Sequence, residues 1–178
     1  MAPRSSTFAF TLVEAMVGVA LTTLVALVIL TIFINGSCFF QALFNYSDMN
    51  ADSRLAVDQL TKDVREAGQV NSFSTNNIVL MGSDGAALTW SFDPTAQKLT
   101  RSKNGTSVVM LTGCVTLTLD VGQRNVVGGS YNVFPYATNT TTAKVVDVRW
   151  VCQRSVIGIG QSEQIQTARV VIRNQQLP

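Results

Sequence analysis

Hydrophobic and polar positions along this chain change rhythm twice. From Ala15 to Ile34 the residues are apolar or small on every side, and no charged residue falls between Glu14 and Asp48. About 20 such residues at 1.5 Å each match a bilayer's hydrocarbon core of roughly 30 Å, which predicts a transmembrane helix over residues 15–34. Further on the pattern becomes one-sided. Val57, Leu60, Val64 and Ala67 recur at helical spacing, while Arg54, Asp58, Lys62 and Glu66 form an i, i+4 stripe of alternating sign. The two sets fall on different faces, so a single helix over residues 10–68 is expected, with Gly68 as its stop.

From Ile78 the period shortens to two. Ile78–Met81, Ala86–Phe92, Gln97–Thr100, Val108–Leu111, Cys114–Asp120, Lys144–Cys152 and Gln164–Ile172 are β-rich runs. Turn-prone stretches such as Asp93-Pro94 and Lys103-Asn104-Gly105 separate them. Val115, Leu117 and Leu119 alternate with Thr116, Thr118 and Asp120, and Val146, Val148, Trp150 and Cys152 alternate with Asp147, Arg149 and Val151. An antiparallel sheet packed on the helix would bury both apolar sets, giving an α+β fold whose β-rich head occupies residues 69–178. The stretch from Gly122 to Ala143, with Gly128-Gly129, Pro135 and a polar Thr/Asn run, reads as a long loop and a contact surface.

Composition agrees with this division. The 178 residues suit one domain plus the amino-terminal segment. The 47% apolar content against 13% charged is high because one end is so apolar. A net charge of +2 does not by itself point to nucleic acid. Histidine is absent, which removes the commonest general base and metal ligand. Cys38, Cys114 and Cys152 show no metal-ligand spacing, and no metal or cofactor is expected. Cys114 and Cys152 fall in two strands. In an oxidising compartment they could form a disulfide worth about 2–4 kcal/mol; two buried free thiols are the alternative.

Glu14 stands out at the border of the apolar run. A carboxylate at the bilayer centre costs about 2.5–3.5 kcal/mol, less near an edge, and an acid there calls for a cationic partner. Residues 1–9 carry one basic residue, Arg4, and no acid, which suits a cytoplasmic leader. An ordinary secretory signal would be shorter and end in small-x-small. Gly36-Ser37-Cys38 lacks the aliphatic residue of a lipoprotein signal where Asn35 stands. A cut between Ala9 and Phe10 would instead create a new α-amino group, and that of a neighbouring subunit could face Glu14. The competing reading is an uncleaved signal anchor.

Phe10-Thr11-Leu12-Val13-Glu14 resembles the type IV prepilin signature. The resemblance implies leader removal between Ala9 and Phe10 by prepilin peptidase, N-methylation of Phe10, and a filament-assembly role for Glu14 through a neighbouring pilin's amino terminus. Ala9 stands where the family almost always has glycine; as the next smallest side chain it implies slower cleavage rather than none. No proline interrupts residues 15–34, unlike many major pilins, which fits a minor subunit. The segment 54–68, Leu88-Thr89-Trp90-Ser91-Phe92, Lys98-Leu99-Thr100-Arg101 and Leu117-Thr118-Leu119 are similar to J-type pseudopilins and W-type minor pilins. Such proteins imply a single pass through the bacterial inner membrane with the head on the periplasmic side, partnership with other pilins, and a structural role in filament initiation or at its tip.

Enzymatic signals do not emerge. The chain has no P-loop, GxSxG or HExxH motif, Gly158-Ile159-Gly160 is not followed by a helix pattern, and its acids are scattered. The head is mildly basic, so a competence-type pilus contacting DNA is conceivable, yet no Arg/Lys cluster with interleaved aromatics supports it. The expectation is therefore a non-enzymatic pilus or secretion-pseudopilus subunit without a small-molecule substrate. A signal-anchored binding domain that never polymerises is the alternative.

Overall fold

A computed structural model describes residues 11–82, 84–123, 133–156 and 159–173. The fold is α+β: one long helix, α1 (Leu12–Glu66), followed by antiparallel strands. The strands are β1 (Ala67–Ser74), β2 (Asn77–Gly82), β3 (Ala87–Asp93), β4 (Lys98–Lys103), β5 (Thr106–Thr112), β6 (Cys114–Gln123), β7 (Ala143–Val156) and β8 (Ile159–Val171). They make two meanders, a five-stranded sheet in the order β1 to β5 and a three-stranded sheet in the order β6 to β8. The chain divides into two compact units at residue 41, and each is described separately.

The first unit contains the apolar part of α1. Every residue from Leu12 to Ile34 is exposed, including Phe33 at 72%. Its hydroxyls turn inward along the backbone. Thr22 donates to the Gly18 carbonyl at 2.9 Å, Thr23 to Val19 at 2.8 Å and Thr31 to Leu27 at 2.8 Å. Satisfying these groups within the helix lets polar side chains sit in apolar surroundings without an unmet donor. This helix is long and apolar enough to cross a membrane.

The second unit is the head, with the later turns of α1 lying against both sheets. Met49, Ala56, Leu60 and Val64 are buried with Leu80, Trp90 and Leu99 from the first sheet and Leu119, Val148 and Trp150 from the second. Of the alternating residues that predicted one-sided strands, Leu117 and Leu119 on β6 and Val146, Val148, Trp150 and Cys152 on β7 are buried; Val115, at the register shift between Cys114 and Thr116, is 45% exposed instead. Arg54, Asp58, Lys62 and Glu66 all face solvent, as a charged helical stripe should.

Three sequence expectations need correction. Gly68 does not stop the helix in a turn; α1 ends at Glu66 and β1 begins at once, with Gly68 inside it. The first strand therefore precedes Ile78, and the head holds two sheets rather than one. Gly113, between β5 and β6, is the single residue joining those sheets. Its φ of +71° is in the region open to glycine, and a Cβ there would stand 2.6 Å from the Gln153 carbonyl oxygen. Finally, part of the expected long loop is ordered against β6. Tyr136 bridges Gly122, Gln123 N–H donates to Pro135 O, and Ala137 N–H donates to Val121 O, both at 2.8 Å. Residues 140–142 form a short 3-10 turn. Gly128-Gly129 and Gly158 lie outside the described residues.

Candidate functional site

The amino end of α1 is built by three hydrogen bonds between two residues. Thr11 N–H and Thr11 Oγ1 both donate to Glu14 Oε2, at 3.0 and 2.9 Å, and Glu14 N–H donates to Thr11 Oγ1 at 3.3 Å. This reciprocal pairing is a capping box: the N-cap hydroxyl serves one orphan amide of the first turn, and the acid three residues on serves the N-cap amide. The carboxylate also lies at the positive end of the helix dipole, where negative charge is favoured. Ala9 and Phe10, the expected cleavage and methylation residues, lie outside the described residues.

Glu14 thus has a local role that its reading as an intramembrane acid did not include. The Thr-x-x-Glu spacing is a legible capping signal, and it places the helix start at Leu12 rather than Phe10. Both of Thr11's donations go to Oε2, and no donor among the described residues reaches Oε1. Capping and an intersubunit contact are chemically compatible at this carboxylate.

Two tryptophans tie the sheets of the head to the helix. Trp90 Nε1 on β3 donates to Asp63 Oδ2 at 2.9 Å, and Trp150 Nε1 on β7 donates to Ser53 Oγ at 3.2 Å. Asp63, only 6% exposed, also takes a two-pronged contact from Arg101, whose Nε reaches Oδ2 at 2.7 Å and Nη2 reaches Oδ1 at 3.0 Å. Gln59 Nε2 donates to Oδ1 at 2.9 Å. The Asp63 hydrogen bonds, with burial opposing them, push the Arg101 guanidinium above its ordinary pKa. Every lone pair of the buried carboxylate is directed at a donor, so the group is structural. A catalytic carboxylate would need one left for substrate.

Cys114 and Cys152 are brought together. They are direct register partners on β6 and β7, both buried and both free thiols. Cys114 N–H goes to Gln97 O and Gln153 N–H to Gly113 O, the pattern of a non-hydrogen-bonded pair, in which facing side chains approach most closely. Cα atoms in such pairs stand about 4.5 Å apart, within the range a disulfide spans. A hydrogen bond shared with Cys152, reinforced by burial, pushes the Cys114 thiol far above its usual range. Cys38, in α1, is remote in sequence from this pair.

Among the described residues no group of three His, Cys, Asp or Glu side chains could hold a metal ion. The hollow beside Asp63, lined by Glu66, Asp84 and Lys103, has a volume of about 80 Å³, and two open hollows of about 560 Å³ lie one over Asp120, Arg149 and Arg169 and one beside Asn71 and Thr138. No protein-family model matches the chain, and no curated protein matches it.

Proposed function

We propose that this chain is a minor pilin or pseudopilin, a structural subunit that enters a type IV pilus or secretion pseudopilus through its amino-terminal helix and acts in filament initiation or at the tip. The observation that carries the reading is the junction at Thr11–Glu14: a carboxylate heads an apolar helix whose every side chain from Leu12 to Ile34 lacks a cover. Apolar surface of that extent is covered in service by lipid, by other helices, or by both in turn. Leader removal before Phe10 would place a new ammonium group in the neighbourhood of a like helix start, giving Glu14 Oε1 a charged donor from an adjacent subunit. The head would lie on the periplasmic side, and the working partners would be prepilin peptidase, bilayer lipid and other pilins.

The capping box favours a second reading. Glu14 satisfies Thr11 within its own chain, as it would in a signal-anchored domain that never polymerises. Two substitutions separate these readings. Glu14→Gln keeps a side-chain oxygen for Thr11 N–H and so keeps the cap, whereas Glu14→Ala loses it. As a filament subunit the protein should fail to co-purify with filaments or tip complexes in both variants. Normal incorporation of Glu14→Gln, with loss confined to Glu14→Ala, would assign Glu14 to capping alone.

A further inference from the structure

The sheet of β6, β7 and β8 buries one face on the helix; its other face is open over most of its length and covered at the end where Gly122 and Val145 are buried. Register orders that outer face into four rows. Thr116, Val151 and Ile165 form the first row, followed by Thr118, Arg149 and Thr167. Asp120, Asp147 and Arg169 come next, then Gly122, Val145 and Val171. The first row is mostly apolar and open, with Ile165 53% and neighbouring Val115 45% exposed; in the fourth row Val171 is 44% exposed while Gly122 and Val145 are buried. Phe134 extends the fourth row: it lies against Gly122, and Arg169 stacks over its ring at 5.9 Å.

The two middle rows are charged and incompletely paired. Arg169 Nε and Nη2 hold both oxygens of Asp147, at 2.6 and 2.8 Å. Arg149, exposed on the central strand, and Asp120, half-buried on β6, have no partner among the described residues. Asp120 is also the direct cross-strand neighbour of Asp147, and like charges so placed repel. In one copy alone, then, this face carries an unmatched cation, Arg149, and an unmatched anion, Asp120, among the described residues.

We infer that this outer face docks on the same face of a second copy of the chain. A twofold axis running across the strands between the middle rows lays each copy's Thr118–Arg149–Thr167 row over its partner's Asp120–Asp147–Arg169 row. The same rotation lays the Val151–Ile165 row over the partner's Phe134 and the partner's Val171. Twofold contacts are self-complementary by construction, with residue i meeting j and j meeting i. Here that rule sets each copy's unpaired Arg149 against the other's pair of carboxylates, and apolar rows against apolar rows. Face-to-face sheet stacking at about 10 Å is the ordinary geometry of β-sandwiches. The charges choose the occupant: a uniformly acidic partner would match Arg149 but repel Asp120, and a uniformly basic one the reverse. The inference goes beyond the filament role and stands independently of it.

Charge reversal of the full chain in detergent micelles tests this by sedimentation equilibrium. The unmodified protein should dimerise. Arg149→Asp alone, and Asp120→Arg alone, should each weaken the dimer by about tenfold or more. Arg149→Asp combined with Asp120→Arg should recover most of the loss, because the rows are again complementary. Far-UV circular dichroism should be the same for all four proteins, since neither side chain has a partner to lose among the described residues. A monomeric unmodified protein, a dimer indifferent to Arg149→Asp, or a double variant as weak as the singles would each overturn the proposal.

Discussion

At the residue scale, Asp63 decides most. One buried carboxylate on α1 collects a tryptophan from β3, an arginine from β4 and a glutamine from its own helix. Removing it leaves the Arg101 charge and the Trp90 N–H without their acceptor. Asp63→Ala should therefore cost about 3–5 kcal/mol, the usual penalty for breaking a buried ion pair from one side. Chemical denaturation of the detergent-solubilised chain measures it, and a loss below about 1 kcal/mol would show that the network is dispensable. Asp63 was not singled out from the sequence, where it is one more charge beside Lys62. The signal was present: Asp63 lies seven residues after Ala56 and three after Leu60, on the apolar face of the helix.

The cysteine pair yields a prediction at the same scale. Cys114→Ser should lower the melting temperature of protein prepared under oxidising conditions and have a much smaller effect in reductant. Equal losses in both would mean that Cys114 contributes packing and no cross-link. The register carries this expectation, since facing positions of a non-hydrogen-bonded pair bring the sulfurs together.

At the scale of elements, the helix and seven of the eight strands were legible because their apolar and β-branched residues form unbroken runs or recur at helical or strand spacing. β1 was not, for a physical reason. Two register shifts interrupt its pairing with β2, so Ala67 and Val70 are buried and Phe73 is half-buried, three residues apart. A period of three matches neither a flat strand nor a strand boundary, and Gly68, Asn71 and two serines mask it further. The division into two sheets was equally hidden, because it turns on one residue. Gly113→Ala would force a positive φ on a side chain and drive its Cβ into the Gln153 carbonyl. A loss of about 1–3 kcal/mol is expected, read in the same denaturation experiment; an unchanged midpoint would mean that β5 and β6 can be joined without the left-handed turn.

At the scale of the whole molecule, two units carry two kinds of information. The apolar helix start is where sequence speaks most directly, through Phe10-Thr11-Leu12-Val13-Glu14 and an uninterrupted hydrophobic run. The structure adds that Glu14 caps its own helix, so a filament contact would be a second use of the same carboxylate. In the head, the polar ties to α1 and the paired thiols serve stability, and the outer face of β6–β8 offers an interaction surface. Alternating residues marked Arg149 and Asp147 as outward-facing, but only the structure revealed that Asp147 is paired with Arg169 while Arg149 and Asp120 have no partner among the described residues.

The central proposal, that this chain is processed and assembled as a pilin, rests on what becomes of its first residues. Intact-mass measurement of the protein recovered from membranes that contain an active prepilin peptidase tests it most directly. The mass should correspond to a chain beginning at Phe10 and carrying one added methyl group. A mass beginning at Met1 under those conditions would contradict the account.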